Sequence, residues 1–441
     1  VRPVYTGLVG LGTVGSGVAR LLLEHPERFH QRLSTPLVLK KIADIDLVRP
    51  RPVAVPPELL TTSAQEIIDD PEIDIVIELM GGTTTAYDLV KAAIARGKHV
   101  VTANKALLAL HGNELFRAAA AAGVGIGYEA SVCGGIPIIL TLRQGLAANA
   151  IQEIFGILNG TSNYILTRMA TTGASFQEAL QEAQAQGFAE ADPTLDVEGL
   201  DAAHKLALLM ALAYGAQIDF DGIHVEGITK IEPLDIQFAR EFGYQIKLLA
   251  ITRDDGRQVE ARVHPTMIPL DHIMASVMGV YNAAYITGDA AGSILLYGRG
   301  AGMMPTASSV AADLIELAFA INQGRRGLIP PLGVPVTVNQ RRNIKPLADI
   351  VTNYYIRFAA QDRPGVLSKI SGILAKYDIS IAAVIQKGRG VRGSVPIVMI
   401  THEAREANVQ AALAEIQHLD VVTQQATLIR IEDPNLDAAQ I

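Results

Sequence analysis

The chain has 441 residues, 49% of them hydrophobic and only 5% aromatic, with a formal charge of −8. That length predicts two or three domains, each able to bury a core, and the acidic balance argues against nucleic acid as a standing partner. Cys133 is the single cysteine, so no internal disulfide forms and a reducing cytoplasm fits best; no apolar run reaches the roughly 18 residues that span a bilayer.

The N-terminal VRPVYTGLVGLG enters a strand at once, which leaves no space for a signal peptide. Val4 to Val9 reads as a buried strand, followed by the loop GLGTVG and a helix through Leu23. After a connection from His25 to Pro36, Leu37 to Ala43 reads as a second strand ending at Asp44. Ile73 to Glu78 and His99 to Thr102 are further strands, with a helix from Tyr87 to Arg96 between them. Strands alternating with helices predict an α/β fold with a parallel, doubly wound sheet of Rossmann type.

Beyond about Ser131, longer helices (Phe176 to Ala185, Leu200 to Ala213) mix with strand-like runs at Ile246 to Ile251 and Gln258 to His264, predicting an α+β catalytic and dimerisation domain. GRGAGMMPT (Gly298 to Thr306) reads as a glycine-rich turn before an apolar helix, Ser309 to Ile321, that returns to the first domain. Gly327 to Pro346 reads as a proline-rich linker. The remainder has a βαββαβ order, which is ferredoxin-like. The expected domains are therefore 1–130, 131–308, a returning helix at 309–330, a linker at 331–349 and a last domain at 350–441.

GLGTVG follows a strand and opens a helix, the context that a dinucleotide fingerprint requires. Gly10 permits the tight turn, Gly12 admits the pyrophosphate, and Gly15 allows close helix–strand packing, with Thr13 and Val14 at the helix start. Asp44 at the end of the second strand favours the ribose hydroxyl of NAD, whereas Lys40, Lys41, Arg49 and Arg51 would suit the 2′-phosphate of NADP; both cofactors stay open. Lys105 ends the strand His99 to Thr102 in the motif VTANK, a position expected to point its side chain into the crevice where a nicotinamide belongs. The acidic run GFAEADPTLDVEGLDAAHK (Gly187 to Lys205) places Asp201, His204 and Lys205 on one helix face. Cys133, with no histidine nearby in sequence, reads as a small buried residue rather than a nucleophile.

Lys105 and Lys205 together resemble the homoserine dehydrogenases. The family's spaced pattern is met by Ala183, Gly187, Asp192-Pro193, Asp196, Gly199, Asp201 and Lys205, and the likeness extends through VTANK, EASVCGGIP, NGTSNYIL and GRGAGMMPTAS. The resemblance implies Lys205 as proton donor with Lys105 beside the cofactor, Glu190, Asp196 and Asp201 gripping the substrate, and Gly160 and Thr161 lining its pocket. It also implies Gly302 at the cofactor, and a sodium ion held by Glu129 and the carbonyls of Val132, Gly134 and Ile136. The implied reaction is the interconversion of L-aspartate 4-semialdehyde and L-homoserine in a cytoplasmic, monofunctional homodimer or homotetramer. The C-terminal unit, with Asp362-Arg-Pro-Gly365, resembles an ACT domain, which implies an amino-acid effector, threonine being the expected one. The rivals are another amino-acid dehydrogenase of similar architecture and a non-catalytic dinucleotide sensor.

Overall fold

The computed structural model describes residues 2–324, 329–386 and 394–433. It comprises two compact units, one drawn from Val1–Gly160, Asp201–Ile223 and Tyr281–Arg342, the other from Thr161–Leu200, His224–Val280 and Asn343–Ile441. Gly327 and Leu328, at the start of the expected linker, and the tail 434–441 of the expected last domain lie outside the described residues.

In the first unit β1 (Val4–Val9), α1 (Thr13–Glu24), α2 (Pro26–Leu33), β2 (Leu37–Ala43), β3 (Leu60–Thr61), α3 (Ala64–Asp69), β4 (Ile73–Glu78), α4 (Thr84–Ala95), β5 (His99–Thr102), α5 (Lys105–Ala122) and β6 (Ile126–Gly127) succeed one another. The strands are parallel in the order β3-β2-β1-β4-β5-β6. Ile75, Val76 and Ile77 are fully buried, as expected of a sheet covered on both faces. The order reverses between β1 and β4, so a crevice opens beyond their carboxyl ends, where doubly wound sheets bind ligands.

Two differences from the sequence reading have simple causes. The expected connection from His25 to Pro36 contains α2, which Pro26 starts at its first position and which buries Phe29 and Leu33. The apolar helix begins at Met303 rather than Ser309, because Pro305 falls in the first turn, where no intrahelical N–H is required. This helix, Met303–Asn322, is long and apolar enough to cross a membrane. Its Ala307, Val310, Leu314 and Leu317 instead share a core with Leu8, Val18 and Leu22. Gly17 permits the contact: a Cβ there would lie 2.8 Å from the Met303 carbonyl oxygen. The unit also holds an antiparallel sheet of Ile151–Ile157, Tyr281–Gly288 and Gly292–Arg299.

In the second unit, strands Tyr244–Asp254 and Val259–Pro269 form an antiparallel hairpin; the first is longer at both ends than its apolar run suggested, and the second starts one residue later than expected but runs on to Pro269. Thr427–Ile431 pairs parallel with the hairpin and antiparallel with Val351–Gln361. The latter continues through Ser394–Thr401 to Ile381–Gln386. Helices Val366–Lys376 and Glu406–Gln417 cover these last four strands, burying Ile370, Leu374, Val409 and Ile416 against Ile356 and Phe358. The βαββαβ order expected from the sequence is therefore present, and its last strand is stitched to the hairpin.

Buried charges reinforce that seam. Arg430 lies 2.7 Å from Glu406 and 3.0 Å from Glu226, and Glu432 lies 2.7 Å from Arg262 and 2.9 Å from Arg253. Burial alone would raise the Glu432 carboxyl, but Arg262 and Arg253 outweigh it and hold it at about 2, below its ordinary 4.5. A depressed carboxyl stabilises the folded state above its unfolded pKa, and the contribution is lost as pH falls through the folded value. The urea midpoint of this unit should therefore drop as pH falls from about 4.5 to about 2. Glu432→Ala, which removes the carboxylate from Arg253 and Arg262 while Glu260 still pairs with Arg262, should lower the midpoint at neutral pH and flatten that acid limb; an unchanged midpoint across the window would contradict the assignment.

Candidate active site

The glycine loop closes as its spacing requires. Gly10 has φ 97° and a Cβ there would meet the Leu79 carbonyl oxygen at 2.5 Å, so β1 turns against the end of β4. A Cβ on Gly15 would lie 2.0 Å from the Gly10 carbonyl oxygen. Gly12 caps α1 and faces open space, leaving the helix N-terminus of Thr13 and Val14 clear for a diphosphate. Asp44 accepts the Leu11 N–H at 2.6 Å and the Asp46 N–H at 2.9 Å, so it anchors this loop. Of the four basic residues weighed for a 2′-phosphate, Lys40 pairs with Asp70 and Glu72, and Lys41 with Glu66. Arg49 is exposed. Arg51 alone sits on Asp44, at 3.3 Å. Gly302, with φ 119°, caps the helix Met303–Asn322.

Lys105 is the first residue of α5 rather than the end of a strand. Asn104 caps that helix by accepting the Leu107 N–H at 3.1 Å, while its own amide donates to the Gly82 carbonyl at 2.7 Å. Behind it the buried Glu78 accepts from Thr102 at 2.6 Å and from the Met80 and Gly81 N–H groups. Burial raises the Glu78 carboxyl, and these hydrogen bonds oppose the rise. Glu78 was not singled out in the sequence, yet it ties the ends of β4 and β5 together beneath Lys105.

Lys105, Lys205 and Asp201 converge. The helix Leu200–Ala213 presents Asp201 and Lys205 one turn apart, and Lys205 Nζ lies 2.6 Å from Asp201 Oδ2 while Lys105 Nζ lies 3.1 Å from Oδ1. Asn159, at the end of the strand Ile151–Ile157, donates to Oδ2 at 2.8 Å, and Lys205 also donates to the Leu158 carbonyl at 2.7 Å. Burial would raise the Asp201 carboxyl, but Lys205 first and Lys105 second, with the Lys205 and Asn159 hydrogen bonds, drive it far below the usual range. The carboxylate therefore bridges two ammonium groups, a position that a purely substrate-gripping role did not anticipate. Lys105 remains 40% exposed, whereas Lys205 and Asp201 are almost enclosed. His204 stacks on Phe220, with 4.6 Å between ring centroids, and burial lowers its basicity.

Gly160 opens the helix Gly160–Thr172, on which Thr161 donates to the Phe188 carbonyl at 2.7 Å. Within the second unit, the Asp196 carbonyl accepts from Ser162 at 2.8 Å and Glu190 is exposed. Cys133 is fully buried with φ 57°, and burial pushes its thiol up to about 11, so it is protonated near neutrality and unsuited to attack an aldehyde.

Among the described residues no three His, Cys, Asp or Glu cluster as metal ligands. The donor set expected for sodium is one carboxylate with backbone carbonyls of the same loop. Glu129 is buried and accepts the Ile139 and Leu140 N–H groups, Gly134 accepts from Ser309, and Ile136 from the Ile138 N–H. Each oxygen retains a lone pair. Asp313 is also buried here, accepting the Glu129 N–H at 2.9 Å. Burial, and then Glu129, raises the Asp313 carboxyl well above its ordinary value. Two buried acids with hard oxygen donors suit a small cation.

Comparison with known proteins identifies the family. Residues 137–315 match the family model described as homoserine dehydrogenase, residues 10–129 match homoserine dehydrogenase, NAD binding domain, and residues 354–420 match ACT domain. The chain is 44% identical over 432 residues to a homoserine dehydrogenase of Neisseria gonorrhoeae, covering 98% of this chain and 99% of that one. A crystal structure of a homoserine dehydrogenase from Thiobacillus denitrificans superposes with a TM-score of 0.93 at 46% identity, covering 98% and 99% of the two chains. A hyperthermophilic archaeal homoserine dehydrogenase in complex with NADPH matches 72% of this chain and 98% of its own, with a TM-score of 0.60 and 27% identity. With its dinucleotide loop, paired lysines and C-terminal ACT domain, the chain belongs to the homoserine dehydrogenase family.

Proposed function

We propose that Lys205 is the proton donor, and Lys105 its electrostatic partner, in the NAD(P)-dependent interconversion of L-aspartate 4-semialdehyde and L-homoserine. The observation that carries these roles is the Asp201 carboxylate lying between both amines. A nicotinamide cofactor held at the glycine loop would supply or take up the hydride. An aldehyde carbon that accepts hydride leaves an alkoxide, and an ammonium held beside it can donate the required proton. Two ammoniums and one carboxylate leave a net positive charge of about one, with Lys205 and Asp201 nearly enclosed and Lys105 partly open to solvent, which favours the developing alkoxide. In the reverse direction Lys205, as neutral amine, would accept the hydroxyl proton. Lys105 and Gly302, with the glycine loop, are assigned to the cofactor. Glu190, Asp196, Gly160 and Thr161 are assigned to the amino-acid end of the substrate on the strength of the family signature, and Asp201 to both tasks.

Lys205→Ala should lower kcat by about 10²–10⁴-fold, the usual yield of a positioned acid, and Lys105→Ala should also lower it, with both proteins folded by circular dichroism. Near-normal turnover in either would remove its assigned role.

Arg51 on Asp44 supports use of NADP as well as NAD. A 2′-phosphate would take charge-assisted hydrogen bonds worth about 1.5–3 kcal/mol. Arg51→Ala should therefore raise KM for NADP by roughly 10–100-fold while changing KM for NAD little; equal effects on both cofactors would sink this reading.

The loop of Glu129, Val132, Gly134 and Ile136 is assigned to a structural sodium ion. The ACT domain is assigned to an amino-acid effector, threonine by its place downstream of the product, acting on a cytoplasmic homodimer or homotetramer that needs neither nucleic acid nor membrane. Titrating threonine into the full-length enzyme should depress homoserine-dependent cofactor reduction, and the absence of inhibition at millimolar threonine would exclude it as effector.

A further inference from the structure

We infer that Asn282 is a positioning residue for the proton donor, fixing Lys205 through the backbone carbonyl of Leu158. The inference rests on the reading of Lys205 as the proton donor. Asn282 is 1% exposed, at the start of the strand Tyr281–Gly288. Its side-chain amide donates at 2.8 Å to the Leu158 carbonyl oxygen, the same oxygen that accepts from Lys205 Nζ at 2.7 Å.

Leu158 and Asn159 lie just past the strand Ile151–Ile157, and the two consecutive residues grip the site together. The Leu158 carbonyl holds Lys205, and the Asn159 amide holds Asp201 Oδ2, which holds Lys205 in turn. A carbonyl has two lone pairs, and here one serves Asn282 and the other Lys205. The second bond fixes the orientation of the peptide plane, and with it the place of the ammonium. Displacement of a reacting group by about 1 Å can cost on the order of 100-fold in rate, so a donor that locks this carbonyl bears on kcat without touching substrate.

The surroundings of Asn282 fit a side chain held for orientation. Its Oδ1 is buried and finds no hydrogen-bond partner among the described residues. Nδ2 also faces Cys133 Sγ at 3.8 Å. On the remaining side a Cβ on Gly300 would lie 2.1 Å from Asn282 Cγ and 2.3 Å from Oδ1. The bare Gly300 backbone thus admits the amide, and Cys133 and Gly300 both act as walls for it. This also gives Cys133 a role as a small, inert packing group.

Three variants test the assignment, with homoserine and NADP as probes. Asn282→Ala should lower kcat by about 10–100-fold while KM for NADP stays within about twofold. Asn282→Asp keeps the volume but exchanges the N–H donor for an acceptor, so it should fall similarly if the alanine variant does not fold. Gly300→Ala, which touches neither lysine, should lower kcat by displacing the amide. In the Lys205→Ala background Asn282→Ala should add little further loss, because both act on one proton transfer. A wild-type kcat in a folded Asn282 variant, with only the melting temperature lowered, overturns the inference, and so does a loss that multiplies with that of Lys205→Ala. Should Lys205→Ala itself turn over normally, the proton-donor reading fails and this inference falls with it, an outcome distinct from failure at Asn282 alone.

Discussion

The site depends on the Asp201 carboxylate between two ammonium groups. Two unit charges about 4 Å apart at an effective dielectric constant near 20 interact by about 4 kcal/mol, so paired lysines drive each other apart unless something negative lies between them. Asp201 supplies that charge with one oxygen for each amine, at 3.1 Å and 2.6 Å. Its own burial works against ionisation, and the lysines prevail. The dependence is mutual: neither the buried carboxylate nor the convergent amines is tenable without the other. What remains is a surplus of positive charge, shared between a nearly enclosed amine and a partly exposed one, where the proposed hydride transfer would generate an anion.

The fold delivers these three groups from separate elements, each fixed by its own local device. Lys105 sits at the start of α5, after a capping Asn104 and over the Glu78–Thr102 hydrogen bond that joins β4 to β5. Asp201 and Lys205 come one turn apart on a single helix, which makes their pairing a matter of helical geometry. The Leu158 carbonyl and the Asn159 amide arrive from the end of a strand, and a neighbouring strand supplies Asn282. Rigid elements hold every one of them, as precise placement of a proton donor demands.

Much of this was legible before any coordinates. Strands β1, β2, β4 and β5 stand out because a doubly covered parallel sheet is apolar on both faces, and the GLGTVG loop stands out because each glycine meets a steric need at its own position. Two helix starts were not read from the sequence: α2 begins at Pro26, and the apolar helix begins at Met303 with Pro305 in its first turn. The contacts that the sequence concealed are those spanning long separations. Asn159 lies 42 residues from Asp201, and Asn282 lies 124 from Leu158. No periodicity or motif spacing links such partners, since only the packed strands bring them together.

The ACT domain poses the opposite case, a module recognisable by its element order whose attachment the order does not reveal. Its last strand runs parallel to Val259–Pro269 while Arg430, on that strand, reaches both Glu406 in its own helix and Glu226 beyond it. Burying such charges costs desolvation that their attraction only partly returns, so the pairs restrict the seam to one register more than they strengthen it. The Glu226 segment also packs tightly on the acidic run that precedes Asp201. A Cβ on Gly227 would lie 2.4 Å from the Val197 carbonyl oxygen, and one on Gly199 would lie 3.3 Å from the Glu226 carbonyl oxygen. The lack of a side chain at Gly199 and Gly227 is what lets the Glu226 segment, which carries a partner of Arg430, lie against that acidic run.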